Sequence, residues 1–161
     1  MAHPLAPSRA RQMMPWLLAL TVAASLLHFT HNAEYLALYP NLPPSWSRAD
    51  VYLAWCGVTS VGLLGYVLYR VAYPRLGLSV LAIYSILGFA GLLHYTRSPM
   101  TNHSAAMNFT IWAEAATAAM LLIDVVFLVT RPLTLKAAPL QPEIDRRTVG
   151  HRAGHAAHRH L

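Results

Sequence analysis

The chain has 161 residues, of which 56% are hydrophobic and only 11% are charged, and its mean hydropathy is +0.40. Soluble domains carry about a quarter of their residues as Asp, Glu, Lys and Arg, so this composition excludes an ordinary soluble fold, a disordered chain and a coiled coil. The single cysteine, Cys56, excludes an internal disulfide framework and a zinc site built from cysteines. The composition therefore predicts an integral membrane protein of one domain.

Four apolar segments are long enough to cross a membrane. A helix needs about 20 mostly apolar residues to span about 30 Å of hydrocarbon. The predicted spans cover residues 15–36, 51–71, 76–95 and 105–129. We expect an all-α fold, a transmembrane four-helix bundle over residues 14–130. An N-terminal arm (residues 1–13) and a disordered, basic, His-rich tail (residues 131–161) flank it.

Residues that begin helices lie at the starts of these spans. Residues 47–50, Ser-Arg-Ala-Asp, have the pattern of a capping box ahead of the second span. Pro74 suits the first turn of the third helix, and Ser104 or Asn102 suits the N-cap of the fourth. The predicted helix starts therefore agree with the limits of the spans predicted from hydropathy.

The first span has an alternative interpretation as a cleaved signal peptide. Arg9 and Arg11 precede an apolar core, and small residues follow at positions 23–25. The apolar stretch continues through Phe29, however, and is longer than the apolar region of a typical signal. A retained span is the favoured interpretation.

The distribution of Lys and Arg predicts the orientation. With both termini in the cytoplasm, ten basic residues lie on the inner side and two, Arg48 and Arg97, on the outer side. Lys and Arg accumulate on the cytoplasmic side of membrane proteins. We therefore expect an inner-membrane protein with both termini inside.

Small residues at intervals of three or four predict close helix contacts. Lipid is as apolar as the side chains, so membrane helices associate through close packing, which small residues allow. The predicted pairs are Ala19 with Ala23, Gly62 with Gly65, Gly88 with Gly91, and Ala115 with Ala119.

The predicted topology places most polar residues of chemical interest in the outer half of the bundle. They are His28, His31, Asn32, Glu34, Tyr35, Tyr52, Trp55, His94, Tyr95, His103, Asn108, Thr110, Trp112 and Glu114. A carboxyl group within a membrane helix is costly unless it is paired, and it marks a candidate functional site. We expect Glu114 to point inward and to lie within one solvent molecule's reach of His31.

Three chemistries fit this set. The first is metal or haem ligation by His28, His31, His94 and Glu114, with Glu34 or His103 in support. The second is binding or acid/base chemistry on a lipophilic small molecule. Its catalytic residues would be His31, Glu34 and Glu114, and its ligand-binding residues Trp55, Tyr95, Asn108 and Trp112. The third is a proton or ion relay through the membrane, in which Asp124 continues the polar series inward.

An alternative of a different class is an accessory or structural subunit of a larger membrane complex, in which these polar residues only cap helices or anchor them at the interface. Homo- or hetero-oligomers are compatible with either class. The basic residues lie beside helix ends or in the tail, so the net charge of +6 does not indicate a nucleic-acid partner.

Two resemblances follow from short motifs. Residues 28–35 (HFTHNAEY), 39–43 (YPNLP), 93–95 (LHY) and 107–112 (MNFTIW) resemble small bacterial four-span membrane proteins over about residues 14–130. That likeness implies a fold and a membrane location but no activity. A second likeness is to the EXPERA domain of emopamil-binding-protein-like sterol isomerases, which implies a membrane-embedded ligand pocket. His31 with Glu34 and Asn108 with Trp112 resemble that family's pairs, each displaced by one residue in spacing.

The tail ends in His151, His155, His158 and His160. A basic segment of this kind is expected to rest on anionic lipid head groups, and its histidines have an alternative use in binding nickel, copper or zinc.

Overall fold

The computed structural model describes residues 9–41 and 45–130, with the backbone alone for residues 9–11. The described residues are almost entirely helical, and none of them lies in a β-strand. The helices are α1 (Arg9–Glu34), α2 (Arg48–Val71), α3 (Pro74–Leu87), α4 (His94–Arg97) and α5 (Ala105–Thr130). Short 3₁₀ turns occupy Leu36–Leu38, Ala90–Leu93 and Met100–Asn102.

Four helical segments of the described chain are long and apolar enough to cross a membrane: Gln12–Glu34, Arg48–Val71, Pro74–Arg97 and Ala105–Thr130. The predicted all-α, four-helix bundle is therefore confirmed, and the chain is a multi-pass membrane protein. The first helix begins six residues before the predicted span at Pro15, because α1 starts at Arg9. Residues 1–8 of the predicted arm and the tail at 131–161 lie outside the described residues.

The predicted helix starts are confirmed by their hydrogen bonds. Ser47 Oγ accepts from the backbone N–H of Asp50, and the Asp50 carboxylate accepts from the backbone N–H of Ser47 at 2.9 Å. Pro74 occupies the first turn of α3. Of the two candidate caps for α5, Ser104 accepts from the backbone N–H of Met107.

The four long helices pack in two close pairs, α1 with α5 and α2 with α3. Glycines let α2 and α3 approach: Gly62 lies under the ring of Tyr84, and Gly77 lies against the backbone of Tyr69. The prediction that both alanine pairs lie at helix contacts was half wrong. Ala115 is buried in the bundle, but Ala19 and Ala23 are exposed on the outside of α1.

The third span is not one continuous helix. The α-helical hydrogen bonds of α3 end at Leu87, and a 3₁₀ turn of four residues leads into α4. The turn brings Gly91 against α1 and α5. We call the end of the bundle that holds α4, the end of α1 and the start of α5 the histidine end.

Candidate functional site

A cavity of about 200 Å³ opens at the histidine end, between α1, the α3–α4 connection and α5. Its floor is polar and is formed by His28, Asn32, His94 and Glu114. Its walls are mostly apolar and carry one cation, Arg97; the apolar residues are Phe29, Leu36, Trp46, Val51, Leu87 and Leu93. Apolar walls with a few convergent polar groups are typical of small-molecule sites.

The deepest part of the cavity is a histidine–carboxyl pair between α1 and α5. His28 and Glu114 are 2% and 3% exposed, and Nε2 of His28 lies 3.7 Å from Oε2 of Glu114. Nδ1 of His28 lies 3.3 Å from Oγ1 of Thr110. Because the Thr110 hydroxyl donates its own hydrogen to the backbone oxygen of Met107, we assign the imidazole hydrogen to Nδ1.

This assignment leaves Nε2 of His28 as an acceptor that faces a carboxyl oxygen. Two acceptors at 3.7 Å repel each other unless one of them carries a hydrogen. Because Nε2 also accepts from the Asn32 amide at 3.2 Å, the hydrogen that the pair needs belongs on the Glu114 carboxyl. A group of this kind can give or take a proton, or accept a hydrogen bond from a ligand.

Asn32 joins this pair to a second imidazole. Its Nδ2 lies 3.2 Å from Nε2 of His28 and 3.5 Å from Nε2 of His94. Its Oδ1 is buried and has no hydrogen-bond partner among the described residues. The polar residues of the cavity thus include an acceptor that has no partner in the described chain.

Gly91 leaves the space next to the pair open. A Cβ atom at this position would lie 3.2 Å from both Oε2 of Glu114 and Nε2 of His28. The 3₁₀ turn that interrupts the third span therefore carries a residue without a side chain past the two polar atoms. Any substituent on it would crowd the floor of the cavity.

His31 does not take the predicted place beside Glu114, since the imidazole in contact with that carboxyl belongs to His28. Nδ1 of His31 lies 2.8 Å from the hydroxyl of Tyr39. Burial raises the pKa of Tyr39 to about 12, which keeps the phenol neutral. His31 thus belongs to the rim of the histidine end, one turn above the buried pair.

The predicted His31–Glu34 pair is also wrong. Glu34 is exposed, its Oε1 forms an ion pair with Arg48 at 2.9 Å, and it accepts a hydrogen bond from the Tyr52 hydroxyl at 2.9 Å. An exposed ion pair of this kind contributes about 0.2–1 kcal/mol. Glu34 links α1 to the start of α2 and is remote from the cavity floor.

The four predicted ligand-binding residues lie outside the cavity lining. The Tyr95 hydroxyl donates to Oδ1 of Asn108 at 2.8 Å, which ties α4 to α5. Trp112 is 52% exposed, with its ring 6.3 Å from that of Tyr95. Trp55 is half-buried on α2, and its indole Nε1 is buried without a hydrogen-bond partner in the described chain.

The predicted metal ligands do not form one coordination site. Within residues 9–41 and 45–130, no three His, Cys, Asp or Glu side chains are placed to hold a metal ion. His28, His94 and Glu114 do lie on the same cavity floor, but His31 is engaged by Tyr39. His103, offered in support, packs 6.3 Å from His94 between ring centroids and bonds the backbone of Pro99.

Asp124 does not extend the polar floor toward the other end of the bundle. It is 9% exposed, and its Oδ2 has no hydrogen-bond partner among the described residues. On α5 between Glu114 and Asp124 lie Ala118 and Leu121, which are fully buried and apolar. Over the described chain, the polar side chains do not form a continuous row for a relay.

Sequence reasoning missed Gly91 and Thr110 as parts of the site and left Asn32 out of it. The spacing did hold a signal for Asn32, since it lies one turn after His28 on the same face of α1. Comparison with known proteins adds no assignment: no family model, no curated protein and no solved structure matches the chain.

Proposed function

We propose that this protein binds an amphiphilic small molecule at its histidine end, with a polar head group in the cavity and an apolar body beside it. The observation that carries the proposal is the buried Glu114 carboxyl at the floor of a cavity with apolar walls. A buried ionisable group in a membrane helix is rarely kept without a function.

The acceptors on the cavity floor favour a head group that donates hydrogen bonds. Asn32 Oδ1 is an acceptor without a partner among the described residues, and Nε2 of His28 lies 3.7 Å from the Glu114 carboxyl, beyond hydrogen-bond distance. Buried acceptors are normally satisfied. An amine or a hydroxyl group therefore fits this floor better than a carboxylate or a phosphate does.

The size of the cavity indicates how much of the ligand it holds. Sites for whole drug-sized molecules occupy about 300–1,000 Å³, whereas this cavity has about 200 Å³. Leu93 and Trp46 on its walls are 60% and 46% exposed toward the surroundings of the bundle. The apolar part of the ligand would lie along these side chains, toward the lipid.

Acid/base chemistry on such a ligand is an extension of the same proposal. The residues placed for it are His28 and Glu114, which face each other over 3.7 Å, rather than His31 and Glu34. A proton held by this pair lies at the cavity floor, where a bound head group would meet it.

Substitution of Gly91 by alanine is expected to reduce ligand occupancy while the bundle stays folded. The added methyl group would lie 3.2 Å from Oε2 of Glu114 and Nε2 of His28, in the place where the head group binds. Native mass spectrometry of protein purified from membranes in a mild detergent measures the occupancy. The matched control is Gly57→Ala, because a Cβ at Gly57 meets no atom within 4 Å.

Equal ligand occupancy in Gly91→Ala and Gly57→Ala would contradict the proposal. A second readout uses added probes that share one alkyl chain: decylamine, decanol and decanoate. We expect the amine and the alcohol, but not the acid, to raise the melting temperature of the wild type. No bound molecule and no such preference would favour the accessory subunit instead. Elemental analysis and a Soret band test the metal and haem alternatives.

We also propose that the histidine end faces the extracytoplasmic side of the inner membrane. The support is the excess of Lys and Arg near the opposite ends of the spans. Alkaline phosphatase fused after residue 41 is expected to be active, and the same reporter fused after residue 73 inactive. The reverse pattern would place the cavity on the cytoplasmic side.

A further inference from the structure

A group of buried and half-buried polar side chains lies on α1, α2 and α3, outside the lining of the cavity. Its members are Ser25 on α1, Trp55 and Thr59 on α2, and Tyr84 on α3. We call this group the central polar cluster. Ser25, Thr59 and Tyr84 are 2%, 7% and 1% exposed.

Two members of the cluster, Ser25 and Tyr84, neighbour Glu114. Ser25 precedes His28, the partner of Glu114, by one turn, and its hydroxyl neighbours the Glu114 carboxyl. The Tyr84 ring packs on Gly62, and its hydroxyl is close enough to Glu114 to feel its charge. Thr59 and Trp55 precede Gly62 by about one and two turns and so lie on the face of α2 that meets Tyr84. The polar groups of α2 thus continue a set that reaches Glu114 through Ser25 and Tyr84.

Hydrogen-bonding atoms of this cluster lack partners. Thr59 Oγ1, Tyr84 OH and Trp55 Nε1 are buried without a hydrogen bond in the described chain. Ser25 Oγ makes no hydrogen bond of good geometry either, although it lies near the Glu114 carboxyl. A buried polar group without a partner costs about 1–3 kcal/mol.

The hydroxyl groups elsewhere in the helices behave differently. Thr21, Ser85 and Thr117 each donate to a backbone oxygen one turn earlier in the same helix, which is the usual arrangement in apolar surroundings. Ser25 and Thr59 could do the same but do not. Their hydroxyls are therefore directed to something other than their own helices.

We infer that the central polar cluster binds a small group of water molecules that hydrates the far side of the Glu114 carboxyl. Polar interior sites hold water that bonds otherwise unpaired groups, whereas apolar ones stay dry. A metal ion suits the cluster less well, because the indole N–H can only donate and no three His, Cys, Asp or Glu side chains of the described chain are placed to hold an ion. The inference is independent of the ligand in the cavity and extends beyond the proposed function.

Hydration of this kind has a consequence for the site. Water on the inner side of Glu114 would stabilise a charged carboxylate that the apolar core alone would not tolerate. The carboxyl could then exchange a hydrogen with His28 on one side while the water bonds it on the other. The cluster would thus support the pair without touching a ligand.

Radiolytic hydroxyl-radical labelling of the protein in lipid nanodiscs tests this inference, because radicals formed from bound water oxidise the side chains beside it. We expect Tyr84 to be oxidised even though it is 1% exposed. Met14, which is 0% exposed in the apolar core, is the internal control. Methionine reacts faster than tyrosine, so protection of Met14 would show that burial alone does block labelling.

Two variants sharpen the test. Ser25→Ala combined with Thr59→Val is expected to abolish the oxidation of Tyr84, because the water loses two of its partners. Ser85→Ala is the matched control: it removes a buried hydroxyl next to Tyr84 that is already bonded to Leu81, and Tyr84 should remain labelled. Labelling that persists in the double variant would overturn the inference. So would protection of Tyr84 equal to that of Met14, together with a higher melting temperature in Thr59→Val.

Discussion

Replacement of Gly77 by alanine is expected to lower the melting temperature of the bundle more than any other single methyl addition considered in this chain. A Cβ at this position would clash with the backbone nitrogen and Cα of Tyr69 on α2. Backbone atoms of a neighbouring helix cannot turn aside as a side chain can. Overpacking in a well-packed interior costs about 1–3 kcal/mol, and a backbone clash belongs at the upper end of that range.

The large effect follows from the place of Gly77 in the fold. The α2–α3 connection is short, since α2 ends at Val71 and α3 begins at Pro74. The two helices consequently approach most closely next to this turn, and Gly65 and Gly62 continue the contact further along. Forcing the helices apart at Gly77 therefore disturbs a contact that extends to Tyr84.

Unfolding in detergent, followed by circular dichroism during heating, measures the effect. Gly57→Ala serves as the control here as well, because it adds the same methyl group to an open surface of α2. Equal melting temperatures for the two variants would show that α2 and α3 are further apart than the structure places them.

The four-helix architecture could be predicted from the sequence because the patterns that determine it lie within single segments of the chain. A membrane span is recognised by its own apolar length, and the capping box at Ser47 and Asp50 is a local hydrogen-bonding pattern. Gly62 and Gly65 of α2 were also informative, since close helix approach requires small residues, whereas Gly77 of α3 was not singled out. These features depend on neighbours within one helix or one turn.

The composition of the site was harder to predict because it depends on how each helix is rotated. His28 and His31 lie about 60° apart on the face of α1 at 100° per residue, so either can be turned toward α5. The rotation is set by distant contacts, such as the Thr21 hydroxyl lying 3.2 Å from the backbone oxygen of Thr117. These contacts place His28 at the helix interface and leave His31 at the rim.

The prediction for Glu34 failed for a different reason, because a competing partner was overlooked. Three-residue spacing allows His31 and Glu34 to touch, but Arg48 at the start of α2 is a permanent cation and Tyr52 a good donor. A carboxylate at the rim binds the stronger partner. The break between α3 and α4, which carries Gly91 to the cavity floor, had no clear signal in the apolar run that surrounds it.

The second large effect is expected when one member of the buried pair is removed. His28→Leu leaves the Glu114 carboxyl without its ionisable partner at a site that is 3% exposed. Leaving one buried polar group without its partner in this way costs about 1–3 kcal/mol. The protein should be much less stable than the wild type and should lose any cavity ligand.

A double substitution separates this cause from a simple loss of packing. His28→Leu combined with Glu114→Leu removes both polar groups, and replacing a buried pair by apolar residues is often neutral or stabilising. We therefore expect the double variant to be more stable than His28→Leu alone, although it binds no ligand. Glu114→Gln, which keeps the size and a hydrogen bond but not the acid, should retain stability and lose binding of an amine probe.

The double-mutant cycle also tests whether the pair is a unit. If His28 and Glu114 act independently, the losses of the two single variants add in the double variant. If they act as a pair, the double variant loses far less than that sum. Additive losses of unfolding free energy would mean that His28 and Glu114 do not interact, although Nε2 and Oε2 lie 3.7 Å apart. The floor of the cavity would then consist of two unrelated buried groups. A strong coupling, with ligand binding lost in every member of the cycle, would instead identify a site that the membrane protein retains at the expense of its own stability.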